Sequence, residues 1–143
     1  MKLATKILST LLVTAFFSTA ALAEKKEVAQ FLEGTVRVSA EEVIDLVEKF
    51  DDLVILDARK KSDVAKGFIE GSVSLPNTET NGASLAKHVP SKATPIVIYC
   101  NGSKCGRSVK SAKIAMSEGY SNIYWFRGGI QEWEAKGLPV VHP

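Results

Sequence analysis

The chain has 143 residues, enough for one domain of ordinary size. Its 18 basic and 16 acidic side chains give a formal net charge of +2, which excludes the strongly basic surface expected of a nucleic-acid-binding protein. The two cysteines are too few for the disulfide framework of a small secreted scaffold.

The N-terminus has the pattern of a cleaved signal peptide, predicted over residues 1–23. Lys2 and Lys6 precede an uncharged apolar stretch, and Ala21-Leu22-Ala23 is a small-x-small cleavage site. We expect export to a bacterial periplasm, with Glu24 as the new N-terminus and no membrane association after cleavage. Loss of the two lysines would leave equal numbers of basic and acidic side chains.

Residues 24–34 are charged and lack a core pattern, so they are predicted to form an N-terminal extension to which Phe31 and Leu32 could dock. The folded domain is expected over residues 35–143, with no internal repeat and no second domain.

The first half of this domain alternates short apolar runs with helical patterns. Residues 35–38 are a predicted strand, and Ser39 with Glu42 forms the capping box of the helix that follows. A continuous apolar run at 53–56, closed by Asp57, is typical of a strand buried on both faces of a parallel sheet. The apolar stripe of the helix consists of Val43, Ile44, Leu46, Val47 and Phe50. Further predictions are a short charged helix or turn at 60–66, a strand at 72–75, a polar loop at 77–82 and one helical turn at 84–88.

The second half repeats the alternation and predicts the fold class. A β-branched run from Pro95 to Cys100 indicates a buried strand, and the next helix, at 108–118, ends before Gly119. The remaining elements are a strand at 123–126, a turn at 127–129, and a short helix with Ile130 and Trp133 facing inward. This order predicts an α/β fold with a mostly parallel sheet and a site at the carboxyl ends of the strands.

Cys100 is the candidate reactive residue because it ends a strand and is followed by a small, polar loop that leads into a helix. The first N–H groups of a helix lack intrahelical partners and favour negative charge. Gly102 and Gly106 let the loop curl, while Lys104 and Arg107 add positive charge. These features are expected to favour the thiolate of Cys100.

Other conspicuous residues are predicted to have structural roles. Asp57 and Arg59 are expected to form an ion pair at a strand end, although Arg59 could also lie near substrate. The aromatic residues of the last strand and Trp133 are interpreted as core. His88 and His142 are interpreted as surface residues, so no metal site is predicted, and no cofactor site is recognisable.

Three stretches of the chain resemble the signature motifs of one family. They are LVILDARKKSDVAKGFIEGSVSLPN at 53–77, YCNGSKCGRS at 99–108 and GYSNIYWFRGGIQEWEAKGLPV at 119–140. The matching positions outside the central loop are Asp57, Arg59, Gly67, Ile69, Gly71, Pro76, Gly128, Gly129, Trp133, Gly137 and Pro139. In this order and spacing, the motifs identify the chain as a member of the single-domain rhodanese sulfurtransferases.

The resemblance implies a rhodanese-like five-stranded sheet flanked by helices on both faces. It further implies that Cys100 carries a persulfide, taking sulfur from thiosulfate or another persulfide and passing it to cyanide or a thiol. The substrate-binding residues would then be Asn101, Gly102, Ser103, Lys104, Cys105, Gly106 and Arg107. A periplasmic redox or sulfur-carrier protein is a candidate partner.

Two positions depart from the family pattern. Phe68 stands where histidine is usual, and six residues separate Cys100 from Arg107, a longer loop than usual that also contains Cys105. Cys105 is therefore a candidate resolving cysteine, and a thiol-disulfide redox protein remains an alternative function. A second alternative is a non-catalytic sulfur carrier. The loop length argues against a phosphatase or an arsenate reductase.

Overall fold

The structure is a computed structural model that describes residues 28–143, so the predicted signal peptide lies outside the described residues. The described chain contains five strands and five helices. The strands form one parallel sheet with the order β1-β5-β4-β2-β3. The strands are β1 Val36–Arg37, β2 Val54–Asp57, β3 Val73–Ser74, β4 Ile96–Tyr99 and β5 Ile123–Phe126. The helices are α1 Ala40–Lys49, α2 Lys61–Val64, α3 Gly82–His88, α4 Arg107–Ser117 and α5 Gly129–Ala135. The predicted α/β fold is confirmed.

Both faces of the sheet are covered, as the continuous apolar runs of its strands predicted. Along β4, Ile96 and Ile98 point into one core, and Val97 and Tyr99 point into the other. The first core is closed by α3 and α4 through side chains such as Leu85 and Ala112. The second core is closed by side chains of α1 and α5, which include Val43, Leu46, Ile130 and Trp133. The aromatic residues Trp125, Phe126 and Trp133 are buried in these cores, as predicted.

The capping box of α1 is present as predicted. Ser39 Oγ accepts a hydrogen bond from the N–H of Glu42, and the carboxylate of Glu42 accepts one from the N–H of Ser39. The prediction was wrong for one member of the apolar stripe, because Val47 is 52% exposed. The buried face is centred on Val43 and Leu46, so Val47 lies outside the part of the helix that the sheet covers.

The start of α3 also differs from the prediction, which placed residues 77–82 in a loop. The helix begins at Gly82 because Asn81 caps it: Asn81 Oδ1 accepts a hydrogen bond from the N–H of Ser84 at 3.0 Å. Glycine has a low helix propensity, which concealed this start in the sequence. Gly119 follows α4 with φ +88°, as expected for the residue after a helix end.

The N-terminal part of the described chain contacts the domain through Leu32, which is 9% exposed, whereas Phe31 is 80% exposed. Leu32 is therefore docked and Phe31 is not. The boundary between extension and domain at residues 34 and 35 stays a prediction. None of the helices within residues 28–143 has the length and apolar character needed to cross a bilayer.

Candidate active site

Cys100 lies directly after β4, the central strand of the sheet, and is 1% exposed. The loop 101–106 then leads to Gly106, the N-cap of α4. The helix start is fixed to the sheet because Trp125 Nε1 of β5 donates a hydrogen bond to the hydroxyl of Ser108 at 3.0 Å. The sequence therefore places a sulfur atom at a strand end beside a helix N-terminus, as predicted from the order of the elements.

Cys100 and Cys105 are joined by a disulfide in the structure. Their Cα atoms are 6.3 Å apart, within the range that disulfides require. Arg107 Nη1 lies 3.7 Å from Sγ of Cys105 and donates a hydrogen bond to it. The curled loop thus brings both sulfurs together, and a guanidinium group contacts the sulfur of Cys105.

The first turn of α5 is hydrogen-bonded to the loop. The N–H of Ile130 donates to the carbonyl of Cys100 at 3.0 Å, and the N–H of Gln131 donates to the carbonyl of Asn101 at 3.0 Å. Gly129 adopts φ +58° and lies so close to the carbonyl of Cys100 that an added Cβ would collide with it. Gly129 is therefore required by a close approach of backbone to backbone as well as by its positive φ.

Several backbone donors of the loop have no partner within residues 28–143. The N–H of Cys105 donates to the carbonyl of Gly102 at 2.9 Å, which forms a turn inside the loop. No acceptor in the described chain contacts the N–H groups of Ser103, Lys104 or Gly106. Together with the first N–H groups of α4, these donors are available to an anionic group.

The predicted site residues have different surroundings within the loop. The side chains of Ser103 and Lys104 are exposed, and Gly102 is buried. Asn101 Nδ2 donates a hydrogen bond to Asp63 Oδ2 at 3.2 Å, so its side chain connects the loop to α2.

Three neighbours of the loop were missed as site residues: Asp63, Gly129 and Gln131. Gly129 was interpreted only as a turn residue, although glycine is also the residue that permits close backbone approach. Asp63 and Gln131 carried no signal, because nothing in a sequence tells which polar residue of a short helix lies beside a loop far away in the chain.

A shallow cavity of about 350 Å³ adjoins the loop on the side of α2 and α5. Both signs of charge line it, including Arg59, Asp63, Lys66 and Glu134. Neither cysteine is among its lining residues. The cavity therefore provides no binding pocket that contains the two sulfurs.

The predicted ion pair of Asp57 and Arg59 is confirmed as a buried structural connection. Asp57 is 0% exposed, and Arg59 Nη2 donates to its Oδ2 at 2.6 Å and to the carbonyl of Gly67 at 2.8 Å. The hydroxyl of Tyr99 donates to the same carboxylate at 2.6 Å. Burial alone would lower the pKa of Arg59, but the hydrogen bonds and charge of Asp57 raise it overall. Burial, together with the neighbouring Asp57 carboxylate, raises the pKa of Tyr99 far above its usual range.

Phe68, the position that departs from the family pattern, has a structural role. Its backbone forms an antiparallel bridge with Val141, with both N–H to carbonyl distances at 2.9 Å. The bridge fastens the C-terminal segment to the loop between α2 and β3, and it uses no side-chain atoms of residue 68.

A comparison with protein families matches residues 39–136 to the rhodanese-like domain. The chain belongs to the rhodanese-like family. The match extends from the cap of α1 to the end of α5 and therefore includes both cysteines and the first turn of α5. The family predicted from the three motifs is confirmed.

Relatives of this rhodanese-like protein include named sulfurtransferases. A sulfurtransferase of Allochromatium vinosum is 27% identical over 106 residues, with 74% of this chain and 94% of the relative covered. The thiosulfate sulfurtransferase GlpE of Pseudoalteromonas translucida is 28% identical over 98 residues, covering 68% of this chain and 88% of the relative.

The fold is also similar to solved structures. The crystal structure of the BH2092 protein from Bacillus halodurans aligns with a TM-score of 0.66 and 22% identity, covering 76% of this chain and 77% of that one. This similarity supports the shared fold alone.

Proposed function

We propose that this protein is a sulfurtransferase that carries sulfane sulfur as a persulfide on Cys100. The observation that carries the proposal is the position of Cys100, at the end of the central strand and beside the N-terminus of α4. A helix N-terminus favours the thiolate, which is the nucleophilic form of cysteine. The relatives named sulfurtransferases support the same reaction class.

The reaction begins with the reduced protein and an anionic sulfur donor such as thiosulfate. The Cys100 thiolate attacks the outer sulfur of thiosulfate, the S–S bond of the donor breaks, and sulfite leaves with the electron pair. Cys100 then carries one additional sulfur atom as a persulfide. A thiophilic acceptor such as cyanide or a thiol attacks the terminal sulfur, and the Cys100 thiolate is released.

The loop contributes by stabilising negative charge throughout this cycle. The thiolate, the persulfide and thiosulfate are all anionic, and the N–H groups of Ser103, Lys104 and Gly106, which have no acceptor within residues 28–143, are donors of the same loop. The exposed side chain of Lys104 attracts the donor to the loop. The cycle as written uses only the Cys100 sulfur, the donor and the acceptor.

The test is formation of thiocyanate from thiosulfate and cyanide by the reduced protein. Cys100→Ser is expected to lose all activity above background, because it removes the thiolate that lies at the strand end beside the N-terminus of α4. Ser117→Ala, at the far end of α4, serves as the control and is expected to retain activity. Thiocyanate formation by Cys100→Ser would refute the proposal.

A second candidate function is thiol-disulfide exchange, and the disulfide between Cys100 and Cys105 is the observation that favours it. In that case the pair would cycle between dithiol and disulfide with a partner thiol protein. Cys105→Ser separates the two functions, because it would abolish exchange but leave thiocyanate formation by the reduced protein intact.

A further inference from the structure

The disulfide shows that the folded domain accommodates a bond between Sγ of Cys105 and Sγ of Cys100. The sulfurtransferase cycle described above gives no role to Cys105. Arg107 is also directed to Cys105 rather than to Cys100, with Nη1 at 3.7 Å from the sulfur. A cationic donor at this distance stabilises the thiolate of Cys105 and so favours it as a second nucleophile.

We propose that Cys105 attacks the Cys100 persulfide and releases its outer sulfur as hydrogen sulfide, so that the protein also acts as a persulfide reductase. This inference rests on the proposed function, since it needs the persulfide on Cys100. The site would take a small sulfane-sulfur donor and convert the transferred sulfur to sulfide even when no external acceptor is present.

The step balances without an external oxidant. The Cys105 thiol loses its proton, and its sulfur forms a bond to Sγ of Cys100. The bond between that Sγ and the outer sulfur breaks, and the outer sulfur leaves with the electron pair and the proton as hydrosulfide. The two cysteine sulfurs are oxidised to the disulfide, and the sulfane sulfur is reduced to sulfide. The disulfide in the structure joins the same two sulfur atoms that this step would bond.

Regeneration of the dithiol form needs a dithiol reductant, and the structure indicates which sulfur this reductant attacks. Cys100 is 1% exposed, whereas Cys105 is partly exposed. A dithiol would therefore attack Sγ of Cys105 and displace Cys100 as a thiolate, which the N-terminus of α4 stabilises as a leaving group. The second thiol of the reductant then releases Cys105 and regenerates the dithiol form of the protein.

The test uses the fully reduced protein, freed of reductant and mixed anaerobically with stoichiometric thiosulfate. Sulfite, sulfide and the intact mass of the protein are measured together. The wild type is expected to release sulfite and sulfide in equal amounts and to lose two hydrogen atoms. Cys105→Ser is expected to release sulfite only and to gain one sulfur atom, and Cys100→Ser is expected to do neither.

The outcomes separate this inference from the proposed function. A wild-type protein that retains the added sulfur and releases no sulfide would overturn the reductase inference alone. Sulfide release by Cys105→Ser equal to that of the wild type would overturn it as well. If neither the wild type nor any variant releases sulfite or gains sulfur, the proposed function is overturned, and the reductase step with it.

Discussion

Cys100, Cys105, Lys104 and Arg107 lie within one short loop but differ in their surroundings. Cys100 is enclosed at the strand end, while Cys105 is partly exposed and contacts Arg107. Lys104 is exposed and lies at the surface of the loop. We therefore assign the positive charge of Lys104 to the capture of an anionic donor and that of Arg107 to the sulfur of Cys105.

Lys104→Ala tests the role of the exposed cation. We expect the KM for thiosulfate to rise about fivefold with little change in kcat, because one surface charge contributes roughly 1 kcal/mol to the attraction of an anion. The effect should shrink as salt is added, since exposed charges are screened. Steady-state thiocyanate kinetics at low and high ionic strength provide the measurement.

Lys113→Ala is the matched control, since it removes an equal charge from an exposed position farther along α4. Its KM for thiosulfate is expected to stay close to that of the wild type. If the KM for thiosulfate rises equally in both variants, the net charge of the protein and not the position of Lys104 governs donor binding.

Tyr99 predicts a pH dependence of folding stability. Its pKa is raised in the folded protein above the ordinary value of 10.0, so the folded state holds the hydroxyl proton more tightly than the unfolded state does. Below pH 10 both states are protonated and this group causes no change in stability. Above it, the free energy of unfolding should fall by up to about 1.4 kcal/mol for each pH unit.

Urea unfolding between pH 8 and pH 11 measures this dependence, with Tyr99→Phe as the comparison. The variant lacks the hydroxyl that donates to Asp57, so its free energy of unfolding should fall less steeply above pH 10. Parallel slopes for the two proteins would show that Tyr99 does not hold its proton as the buried hydrogen bond implies.

At the scale of elements, the loop depends on two neighbours: the N-terminus of α4 and the turn that begins α5. The turn contributes hydrogen bonds from Ile130 and Gln131 to the carbonyls of the loop. It approaches this closely only because residue 129 has no side chain. The geometry of the sulfur site is thus shared between two helix starts that are distant in sequence.

Gly129→Ala tests this close approach, with Gly137→Ala as its control. Both glycines have positive φ, +58° and +70°, but an added Cβ has open space at Gly137 and meets the backbone of Cys100 at Gly129. Gly137→Ala is expected to reduce the free energy of unfolding by about 1 kcal/mol through strain alone. Gly129→Ala should cost ~1–3 kcal/mol more through overpacking.

Urea unfolding gives the stability of each variant, and the thiocyanate assay gives its activity. We expect only Gly129→Ala to lose sulfur transfer at temperatures where both variants are folded, because only there does the loop shift. Equal losses of stability and activity in the two variants would mean that the turn does not position the loop.

The order of the elements and the position of Cys100 could be predicted from the sequence, because each rests on a local pattern. The β-branched run of β4 and the capping box of α1 are examples. The hydrogen bond from Asn101 to Asp63 and the contact of Arg107 with Cys105 could not be predicted. They depend on how the loop curls in three dimensions, and many conformations of a six-residue loop are compatible with its sequence.

At the scale of the whole molecule, the predicted export bears on the redox state of the two cysteines. We propose that residues 1–23 direct export and are removed, which places the domain in an oxidising periplasm. There the disulfide between Cys100 and Cys105 persists until a dithiol partner reduces it. Supply of reductant would then control how much of the protein is ready to accept sulfur.

Expression of the full chain in a Gram-negative bacterium tests export. The protein is expected in the osmotic-shock fraction, with Glu24 at its N-terminus by intact mass. A variant that lacks residues 2–23 should remain in the cytoplasm and serves as the control. A full-length protein that retains Met1 in the cytoplasmic fraction would contradict cleavage after Ala23.

The most direct measurement of the central claim is the location of transferred sulfur in Cys105→Ser. This variant is reduced, treated anaerobically with thiosulfate, and mapped by mass spectrometry of its peptides. The account predicts one added sulfur on Cys100, which cyanide removes as thiocyanate and which is absent when Cys100 is also replaced by serine. An unmodified Cys100 in the folded, reduced variant would contradict the claim that this residue carries the sulfur.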